Sequence, residues 1–72
     1  MAEQKKQVAE STGTVIEALP DVLFKVKLDS GGEILAYLAG KMRMNRIRVI
    51  IGDRVSLEIN PYGGKGRIIR RL

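Results

Sequence analysis

From Thr12 onward the chain falls into short runs of apolar and polar residues, each separated from the next by a turn signal. Residues 14–19 are rich in β-branched side chains and stop at Pro20-Asp21, a turn pair, which predicts a first strand. Residues 23–28 alternate cleanly. Phe24, Val26 and Leu28 share one face, and Lys25 and Lys27, with Asp29, share the other. Asp29-Ser30-Gly31-Gly32 then supplies a hairpin turn, because glycine accepts the positive φ such turns require. Residues 33–38 are almost continuously apolar, which predicts a third strand partly covered on both faces.

The pattern changes between Gly40 and Gly52. Lys41-Met42-Arg43-Met44-Asn45-Arg46 contains good helix formers and predicts a turn or two of helix, after which Ile47, Val49 and Ile51 predict extended chain. Gly52-Asp53 reads as a structural turn, with Asp53 a candidate for orienting a nearby arginine. Residues 54–59 alternate again with Val55, Leu57 and Ile59 inward, Asn60-Pro61-Tyr62-Gly63-Gly64 is a dense turn cluster, and residues 66–70 form a fifth strand. Residues 1–11 carry Gln, Lys and Glu without periodicity and read as a flexible tail, leaving one domain at residues 12–72.

Five short strands with one helical connector after the third predict an all-β fold, a five-stranded oligonucleotide-binding (OB) barrel with a short helical turn between strands 3 and 4. An SH3-like barrel has a similar strand count, but its helical turn comes later in the order. A single helix joining Ile34, Leu38 and Met42 through residue 51 is opposed by Gly40 and by the β-branched Ile47-Arg48-Val49-Ile50-Ile51 tract.

Composition narrows the chemistry. The 72 residues include no Cys, no His and no Trp, which removes disulfides, the usual zinc sites, and Ser-His-Asp or Cys-His catalysis. No paired-carboxylate or phosphate-cradle motif is present, and Gly63-Gly64-Lys65-Gly66 lacks P-loop spacing. An enzyme is not expected, and nothing demands a cofactor, a metal or a dimer. The polar start carries no apolar signal segment, and the longest apolar run, residues 34–39, is far short of the about 20 residues a membrane span needs, so a cytoplasmic monomer is expected.

Charge points to a partner. Lys and Arg number 13 against 8 Asp and Glu, for a net charge of +5. The cations are segregated: Lys41, Arg43, Arg46, Arg48 and Arg54 in one block with Asp53 alone, and Lys65, Arg67, Arg70 and Arg71 in a second block with no acid. Arginine predominates in both blocks, and its planar fork of donors suits phosphate oxygens and stacks on bases. Nucleic-acid contact is the reading this favours over plain solvation. Aromatics are few. Phe24 reads as core, Tyr62 as a turn packing residue, and Tyr37 fits either the binding face or the barrel interior. A platform of stacked bases is therefore a poor fit, and recognition of structured RNA by backbone shape is a better one. Lys41, Arg43, Arg48 and Arg67 are the leading ligands; Lys25 and Lys27 lie on the face that such barrels use.

Gly13-Thr14-Val15, Leu19-Pro20, Phe24-Lys25-Val26-Lys27-Leu28, Gly40-Lys41-Met42-Arg43, Ile47-Arg48-Val49, Gly52-Asp53-Arg54-Val55, Pro61-Tyr62 and Lys65-Gly66-Arg67-Ile68 occur in that order. Together they closely resemble bacterial-type translation initiation factor one, with an S1-like OB barrel, over residues 12–71. The resemblance implies a protein that binds the aminoacyl-tRNA site of the small ribosomal subunit. There it would contact the rRNA decoding region and a neighbouring ribosomal protein, exclude elongator tRNA, and assist the other two initiation factors in selecting initiator tRNA. It carries RNA contact onto Lys41, Met42, Arg43, Asn45 and Arg48 in the loop between strands 3 and 4, and onto Arg67, Arg70 and Arg71 in the last strand. Departures from the common pattern are Met44, where a basic residue is usual, and Arg46, where Tyr or His is usual; guanidinium stacking at Arg46 would replace the aromatic contact. The alternatives are a general RNA-binding or RNA-chaperone barrel and a protein adaptor that pairs through the apolar strand at residues 34–38.

Overall fold

The computed structural model describes residues 9–72. Its elements are β1 (Ala9–Leu19), β2 (Leu23–Leu28), β3 (Glu33–Leu38), the five-residue helix α1 (Gly40–Met44), β4 (Arg54–Ile59) and β5 (Gly66–Arg71). The strands close into a barrel in the order β1-β2-β3-β5-β4. All pairings are antiparallel except β3 with β5, which run parallel over Ala36–Leu38 against Gly66–Ile68. This is the expected OB barrel, with its helix between β3 and β4.

The inward positions fill the barrel. Val15, Phe24, Val26, Ala36, Leu38, Val55, Leu57 and Ile68 are buried, and Met42 of α1 and Val49 of the following segment close one end. In β3 only one face is covered: Ala36 and Leu38 are buried, whereas Leu35 and Tyr37 stay 38% and 40% exposed. The expectation of two-sided burial fails because no second layer packs against the outside of this barrel. Tyr62 also departs from expectation. It is 82% exposed, and its backbone N–H closes the turn by donating to the Asn60 side chain at 2.8 Å.

β1 is the seam. Its first half pairs with β4 (Ala9 with Ile59 through Thr14 with Arg54) and its second half with β2. The strand thus begins at Ala9 and takes in Ala9, Glu10 and Ser11, which the residue pattern assigned to a flexible tail; the rest of that expected tail lies outside the described residues. A ladder to a strand some 46 positions away leaves no local periodicity to read. Gly13 sits where the two ladders of β1 meet, opposite Leu28 on one side and Val55 on the other. A Cβ there would lie 2.6 Å from the Lys27 carbonyl oxygen and 2.7 Å from Val26 Cγ1.

An ion pair ties the hairpin end of β2 to this seam. Arg54 donates from Nη1 to Asp29 Oδ1 at 2.6 Å and from Nη2 to Oδ2 at 2.8 Å, and the Thr12 hydroxyl donates to Oδ2 at 2.6 Å. The acid that orients an arginine is therefore Asp29. Asp53 instead accepts the Ile50 N–H at 3.0 Å and serves the turn. The Arg54 hydrogen bond, followed by that of Thr12, lowers the Asp29 pKa to about 2.

Gly13→Ala is expected to destabilise the fold by about 1–3 kcal/mol, the usual range for overpacking, read as a lowered urea midpoint. The depressed Asp29 pKa means that its contribution is present above the unfolded carboxylate value near 3.9 and is lost as pH falls toward about 2. Asp29→Asn should therefore lower Tm at neutral pH, with the gap to wild type closing between about pH 4 and pH 2. A gap that stays constant across that range would show that the ion pair does not contribute.

Candidate nucleic-acid interface

α1 and the segment after it are held by their backbone. Ala39 donates its N–H to Ile68 O at 2.8 Å, anchoring the helix start to β5, and Met42 enters the core at 3% exposure. The helix ends in paired bonds typical of a Schellman stop: Arg46 N–H to Arg43 O at 3.1 Å and Ile47 N–H to Met42 O at 3.0 Å. The residue that turns left-handed there is Arg46, at φ 55°, where glycine is the usual occupant. Lys41, Arg43, Met44, Asn45, Arg46 and Arg48 are all exposed.

β3, β5 and β4 add a second cationic zone beside it. Tyr37 lies opposite Arg67 in the parallel pair, and Glu58 lies opposite Arg67 in the antiparallel pair, so the three form an outward row across the strands. Glu58 accepts a 2.5 Å hydrogen bond from Arg67, and this bond raises the Arg67 pKa above its ordinary value. A surface cleft of about 210 Å³ opens between Tyr37, Glu58, Asn60, Lys65 and Arg67. A larger one of about 380 Å³ lies on the other side of Arg67, bounded by Gly40, Lys41, Ile69 and Arg70.

The ten predicted ligands thus separate into groups. Lys41, Arg43, Asn45, Arg46 and Arg48 cluster on α1 and its loop, and among the described residues none of these cations lies in an ion pair. Arg67 borders both clefts but is tied to Glu58, and Arg70 is tied to Glu10 at 2.8 Å. The Glu10 carboxylate also accepts the hydroxyl of Ser56, the one buried polar side chain among the described residues. Lys25 sits between Glu17 at 3.5 Å and Glu33 at 4.0 Å. Arg71 donates to the Arg48 carbonyl at 2.8 Å. Met42 is removed from the interface: its place on the inner side of α1 makes it core, and Met44, 82% exposed, is the methionine that meets solvent.

Tyr37 and Lys65, outside the ten, also line the first cleft. Of the two placements left open for Tyr37, the structure shows the outer one, beside Arg67. Lys65 lines the Tyr37 cleft; its place in an acid-free basic block was the available signal.

A small OB barrel with a cationic helix-and-loop rim and a cationic cleft on its outer face is the class that fold and surface define. The family model described as translation initiation factor 1A / IF-1 matches residues 2–72. Among solved structures, the solution structure of translation initiation factor IF-1 from the Wolbachia endosymbiont strain TRS of Brugia malayi is 48% identical, with a TM-score of 0.78 over 97% of this chain and 84% of that one. YjeQ from Thermotoga maritima is 28% identical, with a TM-score of 0.73 over 89% of this chain and 23% of its own. The chain belongs to the translation initiation factor 1A / IF-1 family.

A non-glycine residue in the left-handed region costs about 1–2 kcal/mol, and part of that returns as the added unfolded-state freedom of glycine. Arg46→Gly is therefore expected to raise stability by about 0.5–1 kcal/mol in urea unfolding and, if the loop serves the function proposed below, to weaken RNA binding. Loss of both together would mean that Arg46 is held for packing.

Proposed function

We propose that the chain is a non-enzymatic initiation factor that binds the aminoacyl-tRNA site of the small ribosomal subunit through rRNA. The observation that carries this reading is the sorting of charge within a family of initiation factors. Lys41, Arg43, Arg46 and Arg48 cluster on α1 and its loop and lie in no ion pair among the described residues, whereas Lys25, Arg54, Arg67 and Arg70 are matched by carboxylates and the remaining unpaired cations, Lys27, Lys65 and Arg71, stand apart from that cluster in sequence.

The chemistry fits structured RNA. A-form RNA offers a wide, shallow minor groove lined by 2′-hydroxyls and phosphates, which a short protruding element rich in arginine can reach. Arg43, Arg46 and Arg48 supply flat guanidinium groups for bidentate phosphate contact or stacking, and Lys41 supplies a point charge. Asn45 adds an amide that both donates and accepts. Tyr37, flanked by Lys65 and Arg67, offers an aromatic face next to cations, suited to a base beside its phosphate. Seated on the decoding region and a neighbouring ribosomal protein, a body of this size would exclude elongator tRNA by occupancy. The same seating would help the other two initiation factors select initiator tRNA. Action on ribosomes in the cytoplasm agrees with this, and no helix among the described residues is long and apolar enough to cross a membrane.

Chemical footprinting on purified small subunits tests the proposal. Wild type is expected to protect the decoding region, and Arg43→Ala and Arg48→Ala to weaken that protection. With about 5–7 phosphates contacted, log affinity should fall against log salt with a slope of roughly −4 to −6. Diffuse protection, or comparable melting of unrelated RNAs, would point instead to a general RNA chaperone.

A further inference from the structure

Arg71 owes its direction to an irregularity in the last strand. Along β4 and β5, Leu57 faces Ile68, but Ser56 then faces Arg70 and Val55 faces Arg71, which leaves Ile69 as an extra residue. Such a bulge reverses the side-chain alternation that follows it. Residues directly opposed in an antiparallel ladder project to the same face. Arg70 therefore goes outward with Ser56 and meets Glu10, whereas Arg71 goes with Val55, a fully buried core residue. This brings the Arg71 chain to the segment that carries the buried Val49. There its Nη1 donates to the Arg48 carbonyl at 2.8 Å.

Little else holds that stretch of backbone. The segment at residues 47–50 has neither helical nor strand pairing. Its start is fixed by the Ile47 N–H to Met42 O bond and its end by the Asp53 turn, which bonds Ile50 both ways. Between these points the anchors are the burial of Val49 and the Arg71 hydrogen bond. Among the described residues, Arg71 is the one side chain of a strand that bonds to the backbone of this segment. The bond fixes the peptide plane between Arg48 and Val49, with Val49 turned into the core and Arg48 left in solvent.

We infer that Arg71 is a positioning residue for the RNA-facing loop, acting through the Arg48 carbonyl rather than by contact with phosphate. The role in RNA binding rests on the function proposed above; the hold on the loop does not. The carbonyl takes one of the five guanidinium donors and leaves the charge intact, so the salt slope is what separates positioning from phosphate contact; a loop pre-set before binding avoids an ordering cost at the moment of binding.

The two parts are read separately. In the free protein, amide exchange by NMR on Arg71→Leu and Arg71→Gln is expected to show residues 48–51 exchanging about tenfold faster, with β2 and β3 unchanged. Arg71→Lys keeps a donor of similar reach and should restore most of that protection. On purified small subunits, Arg71→Leu should weaken wild type but change Arg48→Ala by no more than about twofold, leaving its salt slope unaltered. Unchanged loop exchange in both Arg71 variants would overturn the positioning role. So would multiplicative losses in the double variant with the slope reduced by a further 0.7–0.9 or so, the mark of a direct phosphate contact. Failure of wild type to bind the subunit would remove the proposed function while leaving the exchange result to decide the hold on the loop.

Discussion

Closure of the barrel through β1 is the constraint on which the rest of the molecule depends. One strand of eleven residues serves two ladders of the barrel, and the exchange happens at Gly13, against which the β2 backbone at Lys27 and Leu28 and the Val26 side chain crowd closely. A side chain there would push Lys27 and Val26 away and open the seam. With the seam closed, Asp29, Arg54 and Thr12 come together from the β2–β3 turn, β4 and β1 and bind the corner. The closing contact on the other side is the short parallel pairing of β3 with β5, which fixes where Tyr37 and Arg67 stand.

Closure also sorts the charges. Acids from β1, β3 and β4 reach the outward cations of β2 and β5, so Lys25, Arg67 and Arg70 are matched on the barrel wall. Exposed ion pairs of this kind contribute little to stability individually. Their consequence is for the surface potential: positive charge is damped at Lys25, Arg67 and Arg70 and left undamped on α1 and the loop, with Lys27 and Lys65 also outside any ion pair among the described residues. The largest cluster of unpaired cations among the described residues thus lies on one exposed element, whose core-facing anchors are Met42 and Val49.

That element is built with some cost to the fold. Its helix is only five residues long, has no side-chain N-cap, and ends on an arginine in a left-handed conformation. Stability comes from the two buried side chains and from backbone bonds to the barrel, not from helix propensity, which a helix this short cannot exploit. The proposed seating on ribosomal RNA would give this arrangement a use, since a loop held before binding avoids an ordering cost.

The five strands, their turns and the helical connector were legible because each is written in local chemistry: alternation in residues 23–28 and 54–59, glycine at the hairpin turn, Pro20-Asp21 and Asn60-Pro61 at others. The cationic loop was legible for the same reason, as a basic block with almost no acid. The N-terminal reach of β1 was not, since its partner is β4 and polar residues serve an outer ladder as well as apolar ones. Nor could sequence separate the two methionines of α1, because over five residues the inward side is set by how the helix docks. The division among the arginines was settled only in three dimensions. Arg67 and Arg70 find acids on neighbouring strands, and a one-residue bulge at Ile69 turns Arg71 from the wall to the Arg48 carbonyl. The amino-acid sequence by itself determined which elements form and that the chain is cationic; the tertiary structure decided which cations stay free, because neutralisation depends on register between strands far apart in the chain.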